Sequence, residues 1–286
     1  MSGRRYRASP NMKVHVPFIQ VLHYNARMFP IRDDNPHFTT PYATYGLIGA
    51  NAIAWFLLQG FGTEPALSAS VCRLGFIPGE VLGTAPAGAS FPMGPDSACV
   101  LAGGGNWHTV LTSMFLHGGW MHLIGNMWFL WIFGNNVEDA MGHLRFVVFY
   151  LLSGVAAALL QAAFDTDSVI PMVGASGAIG GVMGAYVMMY PRVHVHLFIF
   201  LGFYATTIAV PAYFMLGYWF LLQLVSGSGA IGAQGGGVAF WAHVGGFVAG
   251  TLLSFVFRDR EMLARHPYYG WNQRGSPTQN WHRVRR

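Results

Sequence analysis

Long uncharged apolar runs separated by short polar breaks fill the middle of the chain. Residues 41–60 form the first run, about the ~20 residues a bilayer core requires of a helix. A connection over 61–107 follows, rich in Gly and Pro yet punctuated by Leu74, Phe76, Ile77, Val81, Leu82 and Phe91. Loops this long usually carry function or structure of their own, and these apolar residues predict that it dips into the membrane interface. Residues 107–134, with an apolar core at 114–133, predict a second span. A turn over 135–143 carries Glu138 and Asp139. Residues 144–164 predict the third span, 170–190 the fourth, 193–225 the fifth with some interfacial excess, and 238–257 the sixth. The Gly/Ser stretch 226–237 reads as a loop. The pattern therefore predicts an all-α membrane protein. A polar arm (1–40) and a polar tail (258–286), disordered beyond Pro267, flank a six-transmembrane-helix bundle over 41–257.

Composition strengthens this reading. The chain is 53% hydrophobic and 9% charged, whereas a soluble domain carries about 25% charged residues. The formal charge of +5 is a topology signal. Arg4, Arg5, Arg7, Lys13, Arg27 and Arg32 lie in the arm, and seven more arginines lie between Arg258 and Arg286. With both termini in the cytoplasm, six spans place these together with Arg145 and Arg192 inside and leave Arg73 outside, as the positive-inside rule requires. Nucleic-acid binding thus becomes a poor explanation of the basic balance. No cleavable signal peptide is read in the first 40 residues, which are polar, basic and broken by prolines. Cys72 and Cys99 fall in one extramembrane stretch, and their spacing leaves both a disulfide and two free thiols open.

With orientation set, depth along each span becomes comparable. Ser176 lies near the outer end of the fourth span, His243 near the outer end of the sixth, and His122 and Asn126 in the outer half of the second. At 1.5 Å per residue these lie roughly 5–15 Å below the outer surface. Polar groups inside spans are expensive and tend to mark function. A Ser hydroxyl becomes nucleophilic when an imidazole takes its proton, so Ser176 and His243 form a candidate nucleophile and base. Gly246 and Gly250 share a face with His243, and Gly180 and Gly184 share one with Ser176. Such small residues let membrane helices approach closely. His122 and Asn126, four residues apart, point the same way and are candidate donors to a developing oxyanion. His117, five residues before His122, is read as structural, bonding the first loop. His194 and His196 fall on the cytoplasmic side without a role.

Absences narrow the chemistry. No acid falls inside the apolar core of a span, which argues against a paired-carboxylate protease and leaves the His without a buried acid, a dyad and not a triad. There is no HExxH signature, and no metal or cofactor is called for. The bland alternatives are a packing Ser, a satisfied His and an ordinary GxxxG contact.

At these residues the chain resembles the rhomboid family of intramembrane serine proteases, in its bacterial six-transmembrane type. The matching pieces are Trp107-His108, the run Thr112 to Gly119, His122-x-x-x-Asn126, Gly174-Ala175-Ser176-Gly177 and Ala242-His243-x-x-Gly246-x-x-x-Gly250. The resemblance implies endoproteolysis of the transmembrane segments of single- or multi-span membrane proteins near the outer face. Ser176 would be the nucleophile, His243 the general base, and His122, Asn126 and the Ser176 amide the oxyanion hole. Gly174, Gly177 and the helix glycines would be structural support. It implies a membrane-embedded first loop over 61–107, a cap over 226–237, and residence in a bacterial inner membrane with the site opening outward. Two positions depart from the family pattern. His108 stands where members usually carry Arg, and Gly180 stands where some place an aromatic against the base, so other contacts must hold His243. The rivals are a non-proteolytic rhomboid-like protein that binds transmembrane segments, and a carrier, which would call for intramembrane charges and internal symmetry.

Overall fold

The computed structural model describes residues 28–94, 97–200, 205–230 and 239–270. Residues 1–27 of the expected arm 1–40, 231–237 of the expected cap 226–237 and 271–286 of the expected tail 258–286 lie outside the described residues. The protein is mostly helical. Its longer helices are α1 (Tyr42–Leu57), α5 (Trp120–Met141), α6 (His143–Phe164), α7 (Ser176–Met189), α8 (Ala212–Ala230) and α9 (Phe240–Phe257). The first connection holds the short helices α2 (Ala66–Leu74) and α3 (Pro78–Leu82) and the antiparallel pair β2 (Ser90–Gly94) and β3 (Ser97–Val100). It ends in α4 (Thr109–Thr112), and α10 (Arg260–Arg265) follows α9.

Several expected boundaries move. Strands correct the all-α expectation: β1 (Met28–Asp33) pairs with β4 (His194–Phe200), which pairs with β5 (Ala205–Pro211), all antiparallel. The stretch expected to form the fifth span from residue 193 is therefore first the two antiparallel strands β4 and β5 and then α8, which continues as helix through the expected loop residues 226–230. Short apolar runs satisfy a strand or a buried helix equally well. The second span begins at Trp120, after α4 and a 3₁₀ turn at Ser113–Phe115, and absorbs the expected turn up to Met141. Gly142, at φ +79°, then makes the sharp corner into α6, a conformation that favours glycine. Among the described residues two helices, α6 and α9, are long and apolar enough to cross a membrane by length and composition, and α7 is a shorter apolar helix.

Buried acids tie α1 to the end of α5. Glu138 accepts from the main-chain N–H groups of Ala43 and Thr44 at 2.8 and 2.7 Å and from the Thr44 hydroxyl at 2.7 Å. Asp139 does the same for Phe38, Thr39 and the Thr39 hydroxyl. The first N–H groups of a helix have no partner within it, and α1 starts at Pro41 with no side-chain cap of its own. A distant carboxylate therefore supplies what the local sequence lacks.

The first connection is stitched down without help from position 108. Cys72 and Cys99 form a disulfide, which decides between the two readings left open. Phe76 and Met172 exchange both main-chain bonds, at 2.9 and 2.7 Å. The Thr112 hydroxyl donates to Leu74 O at 2.7 Å and the Thr84 hydroxyl to Thr166 O at 2.6 Å. His108 is exposed at the N-terminus of α4.

At the centre, α7 is buried on nearly every side, as a helix apolar all round should be. A Cβ on Gly246 would overlap the Gly177 carbonyl, and one on Gly250 would overlap the Gly181 main chain. A Cβ on Gly180 would lie 3.0 Å from His243 O, and one on Gly184 would overlap Phe247 O. The expected single face is thus two rows of glycine, and the two main chains touch. On the other flank, a Cβ on Gly177 would come within 2.6 Å of Ala157, seating α7 on α6.

Replacing Gly250 with Ala is expected to lower stability by about 1–3 kcal/mol, the range for overpacking a tight contact. Gly217→Ala, with open space at its Cβ position, should stay within about 1 kcal/mol. Thermal unfolding in detergent reads both, and equal midpoints for the two variants would contradict the contact. A second expectation concerns Asp33, which accepts from the Tyr186 hydroxyl and whose burial pushes its carboxyl up to about 7. The fold binds this proton between about pH 4 and about pH 7, where the unfolded chain has lost it, so stability falls as pH rises through that window. The thermal midpoint should drop over this range, and Asp33→Asn should flatten the drop. An unchanged pH slope in the Asn variant would refute the assignment.

Candidate active site

The site forms where α7 begins. The segment leading into α7 is pinned through Met172 to Phe76 and through the Gly174 N–H to Ser113 O at 2.9 Å. Gly174 then adopts φ +128°, a region that favours glycine. Ala175 caps α7, and Ser176 is its first residue. The first N–H groups of α7 are thus free of intrahelical partners. The hydroxyl stands at a helix N-terminus, where backbone donors and the helix dipole favour negative charge.

His243 reaches this hydroxyl from α9. Its Nε2 lies 2.8 Å from Ser176 Oγ, and both residues are half-buried. The Gln161 side chain, reaching across from α6, accepts from the Ala242 N–H at 3.2 Å and so caps the start of α9 beside the histidine. Phe164 stacks on Trp241 at 3.8 Å between ring centres. On its other edge, His243 Nδ1 lies 2.8 Å from Gln223 Oε1 of α8. With a carbonyl oxygen against it, Nδ1 carries the proton and donates, which leaves the Nε2 lone pair facing the serine. The Trp219 ring, one turn before Gln223, lies 5.7 Å from the imidazole.

The donor side is also assembled. His122 Nδ1 accepts from the Gly118 N–H at 3.2 Å, so Nε2 is the protonated, donating nitrogen. A Cβ on Gly174 would sit 2.8 Å from His122 Nε2 and 3.5 Å from Ser176 Oγ. The glycine therefore keeps open the space that the imidazole edge and the hydroxyl both border. Asn126, one turn along α5, is buried, and its Nδ2 has no hydrogen-bond partner among the described residues. An unpaired buried amide donor costs stability, which is consistent with a group reserved for something that binds.

Ser176, His243 and His122 thus meet at one place, and Asn126 follows His122 on α5. His117 departs from its expected role. Its ring nitrogens bond nothing among the described residues, and the ring lies edge-on to His122 at 5.2 Å. It is the His117 main chain that is held, by Gln59 at the end of α1, which donates to its carbonyl at 2.7 Å and accepts from its N–H at 2.8 Å. His196 bonds Asp34 at 2.8 Å, away from the site. Gln223 and Gln161 escaped the sequence reading. The available signal was an amide inside an apolar run, where polar groups are costly. No group of three or more metal-ligating side chains forms among the described residues.

A family model described as Rhomboid domain matches residues 104–260, more than half of the chain, a stretch that includes Ser176, His243, His122 and Asn126. The chain is 33% identical over 193 residues to RHOMBOID-like protein 4 of Arabidopsis thaliana, covering 67% of this chain and 43% of that protein. It is 36% identical over 151 residues to Rhomboid protease GluP of Bacillus subtilis strain 168, covering 52% of this chain and 26% of the relative. Rhomboid-like protease 5 of Toxoplasma gondii is 36% identical over 156 residues, covering 53% and 16% respectively. The matched stretch is less than half the length of each of these relatives.

Proposed function

The chain belongs to the rhomboid family, a family of membrane proteins, commonly intramembrane proteases, and from that premise we propose that it is a serine endopeptidase that cleaves membrane-protein substrates by a Ser176–His243 dyad. The observation that carries the reading is the 2.8 Å contact between His243 Nε2 and Ser176 Oγ. In this reading 41–257 is the catalytic domain and α1, α5, α6, α7, α8 and α9 are six spans. The distribution of Lys and Arg argues for cytoplasmic termini, with the arm 1–40 and tail 258–286 on that side, in a bacterial inner membrane. The length of α7 supports the depth of the site. Its 14 residues extend about 21 Å at 1.5 Å each, well short of a hydrocarbon core of ~30 Å. A span this short that reaches the inner face begins below the outer one.

The chemistry follows from the atoms that meet. A substrate helix approaches laterally and unwinds, presenting a scissile carbonyl in the space that Gly174 keeps open. His243 Nε2 takes the Ser176 proton as Oγ attacks, and the new oxyanion faces His122 Nε2–H, Asn126 Nδ2–H and the first N–H groups of α7. The imidazolium returns its proton to the leaving amine, and water admitted from the outer side hydrolyses the acyl-enzyme. A protein that only binds transmembrane segments has no need of a histidine lone pair aimed at a helix-N-terminal serine.

The test is cleavage of a single-span substrate by purified protein in detergent and in liposomes. Ser176→Ala and His243→Ala should abolish it, and Asn126→Ala should lower the rate ~10²–10³-fold, the usual cost of one oxyanion donor. A fluorophosphonate probe should label Ser176 in the wild type and fail in His243→Ala. Cleavage persisting in Ser176→Ala would sink the mechanism.

A further inference from the structure

The start of α9 is gripped from two sides, and the grip from α8 serves a purpose that packing alone does not explain. Gln223 and Trp219 lie four residues apart and so share one face of α8. Both meet His243: Gln223 through the 2.8 Å contact with Nδ1, Trp219 through its ring, which also lies 6.2 Å from the Phe247 ring. In the apolar run of α8 up to Val225, Gln223 is the only amide and no side chain is charged. Leu is the ordinary occupant of such a position, and an amide there needs a reason. Position 180 offers none of this support. It is glycine, and a Cβ there would already approach His243 O at 3.0 Å.

We propose that Gln223 is the positioning residue of the Ser176–His243 pair: its Oε1 accepts the Nδ1 proton of His243 and so holds the tautomer and ring orientation in which Nε2 receives the serine proton. The inference rests on the dyad reading above and assigns to an α8 amide the task that a buried carboxylate performs in a triad. Its energetics have a signature. In the resting enzyme the bond joins two neutral groups. As the serine attacks, the imidazole becomes a cation, and hydrogen bonds to charged groups are worth more than neutral ones. Gln223 therefore stabilises the transition state more than the ground state, and its removal falls on kcat and leaves KM largely alone. Because the amide is attached to α8, the base is correctly aimed only while the outer half of α8 lies against α9.

The experiment is steady-state cleavage of the single-span substrate by the full chain carrying Gln223→Leu, Gln223→Met or Gln223→Glu, with Ser176→Ala alongside and thermal midpoints for all. The Leu and Met variants should lose about 10- to 100-fold in kcat, the span expected for a bond to a charged group, with KM within about twofold. Gln223→Glu, which restores an acceptor oxygen, should remain within about fivefold of wild type. A packing role predicts the reverse order, with Leu and Met tolerated in an apolar setting and Glu the most damaging. Wild-type kcat in the Leu or Met variant, or a Glu variant as impaired as Leu, would overturn the inference. If Ser176→Ala keeps its activity, the dyad reading itself has failed. If Ser176→Ala is dead and Gln223→Met is fully active, only the positioning role has.

Discussion

The contact on which the rest of the structure depends is main chain against main chain, where Gly246 and Gly250 of α9 lie on the backbone of Gly177 and Gly181 of α7. Lipid tails are as apolar as leucine, so two apolar helices in a bilayer gain little from burying their side chains against each other. Close approach of the backbones, with the dispersion contacts it allows, takes over that role. The same approach sets the reach of the chemistry. A serine side chain is short, and an imidazole on the facing helix comes within hydrogen-bonding distance of it only when the helices nearly touch. Packing and the 2.8 Å contact at the top of the seam are therefore one constraint.

Around that seam several polar side chains share a habit: they bond main-chain groups at a neighbour's helix end or loop. Glu138 and Asp139 hold the start of α1, Gln161 holds the start of α9, and Gln59 holds the His117 main chain. Each satisfies main-chain groups that a low-dielectric interior would otherwise leave unpaired at a cost of a few kcal/mol. Glu138 and Gln161 also fix where a helix begins. Since Ser176 is the first residue of its helix, His243 the fourth of its own and His122 the third of its own, fixing helix starts fixes the site.

This habit explains what could be read from the sequence and what could not. Ser176, His243, His122 and Asn126 were legible because each interrupts an apolar run at a countable depth, and the distribution of arginines argues for which end of each run is which. The glycine seam was legible from its four-residue spacing, though not its pairing, since spacing along one helix does not say which carbonyl on the other it meets. Gln223 was hidden for a similar reason: its significance lies in a partner twenty residues away on another helix. Glu138 and Asp139 read as a polar turn because charge beside Asn135 and Asn136 looks like the end of a helix. In the structure their carboxylates are buried against α1, and the helix runs on to Met141. The paired strands β4 and β5 read as more of the same apolar run, since strand is distinguished from helix only by their pairing with each other and with β1.

The two flanks of the site are built to different standards. On one side α7 is locked between α6 and α9 by glycines that admit no Cβ, and its start is bonded to the first connection through Gly174 and Met172. On the other side stand His122, which is exposed, and α8, several of whose large apolar side chains, Phe214, Leu221 and Val225 among them, are exposed. In the proposed dyad a nucleophile must stay put while a polypeptide is brought to it, so rigidity belongs under the serine and accessibility beside it. The base belongs to both flanks, since its backbone is part of the locked seam and its ring is held by the open one. In the proposed reading a displacement of α8 would therefore alter the aim of the histidine while leaving the serine, the seam and the proposed oxyanion donors in place.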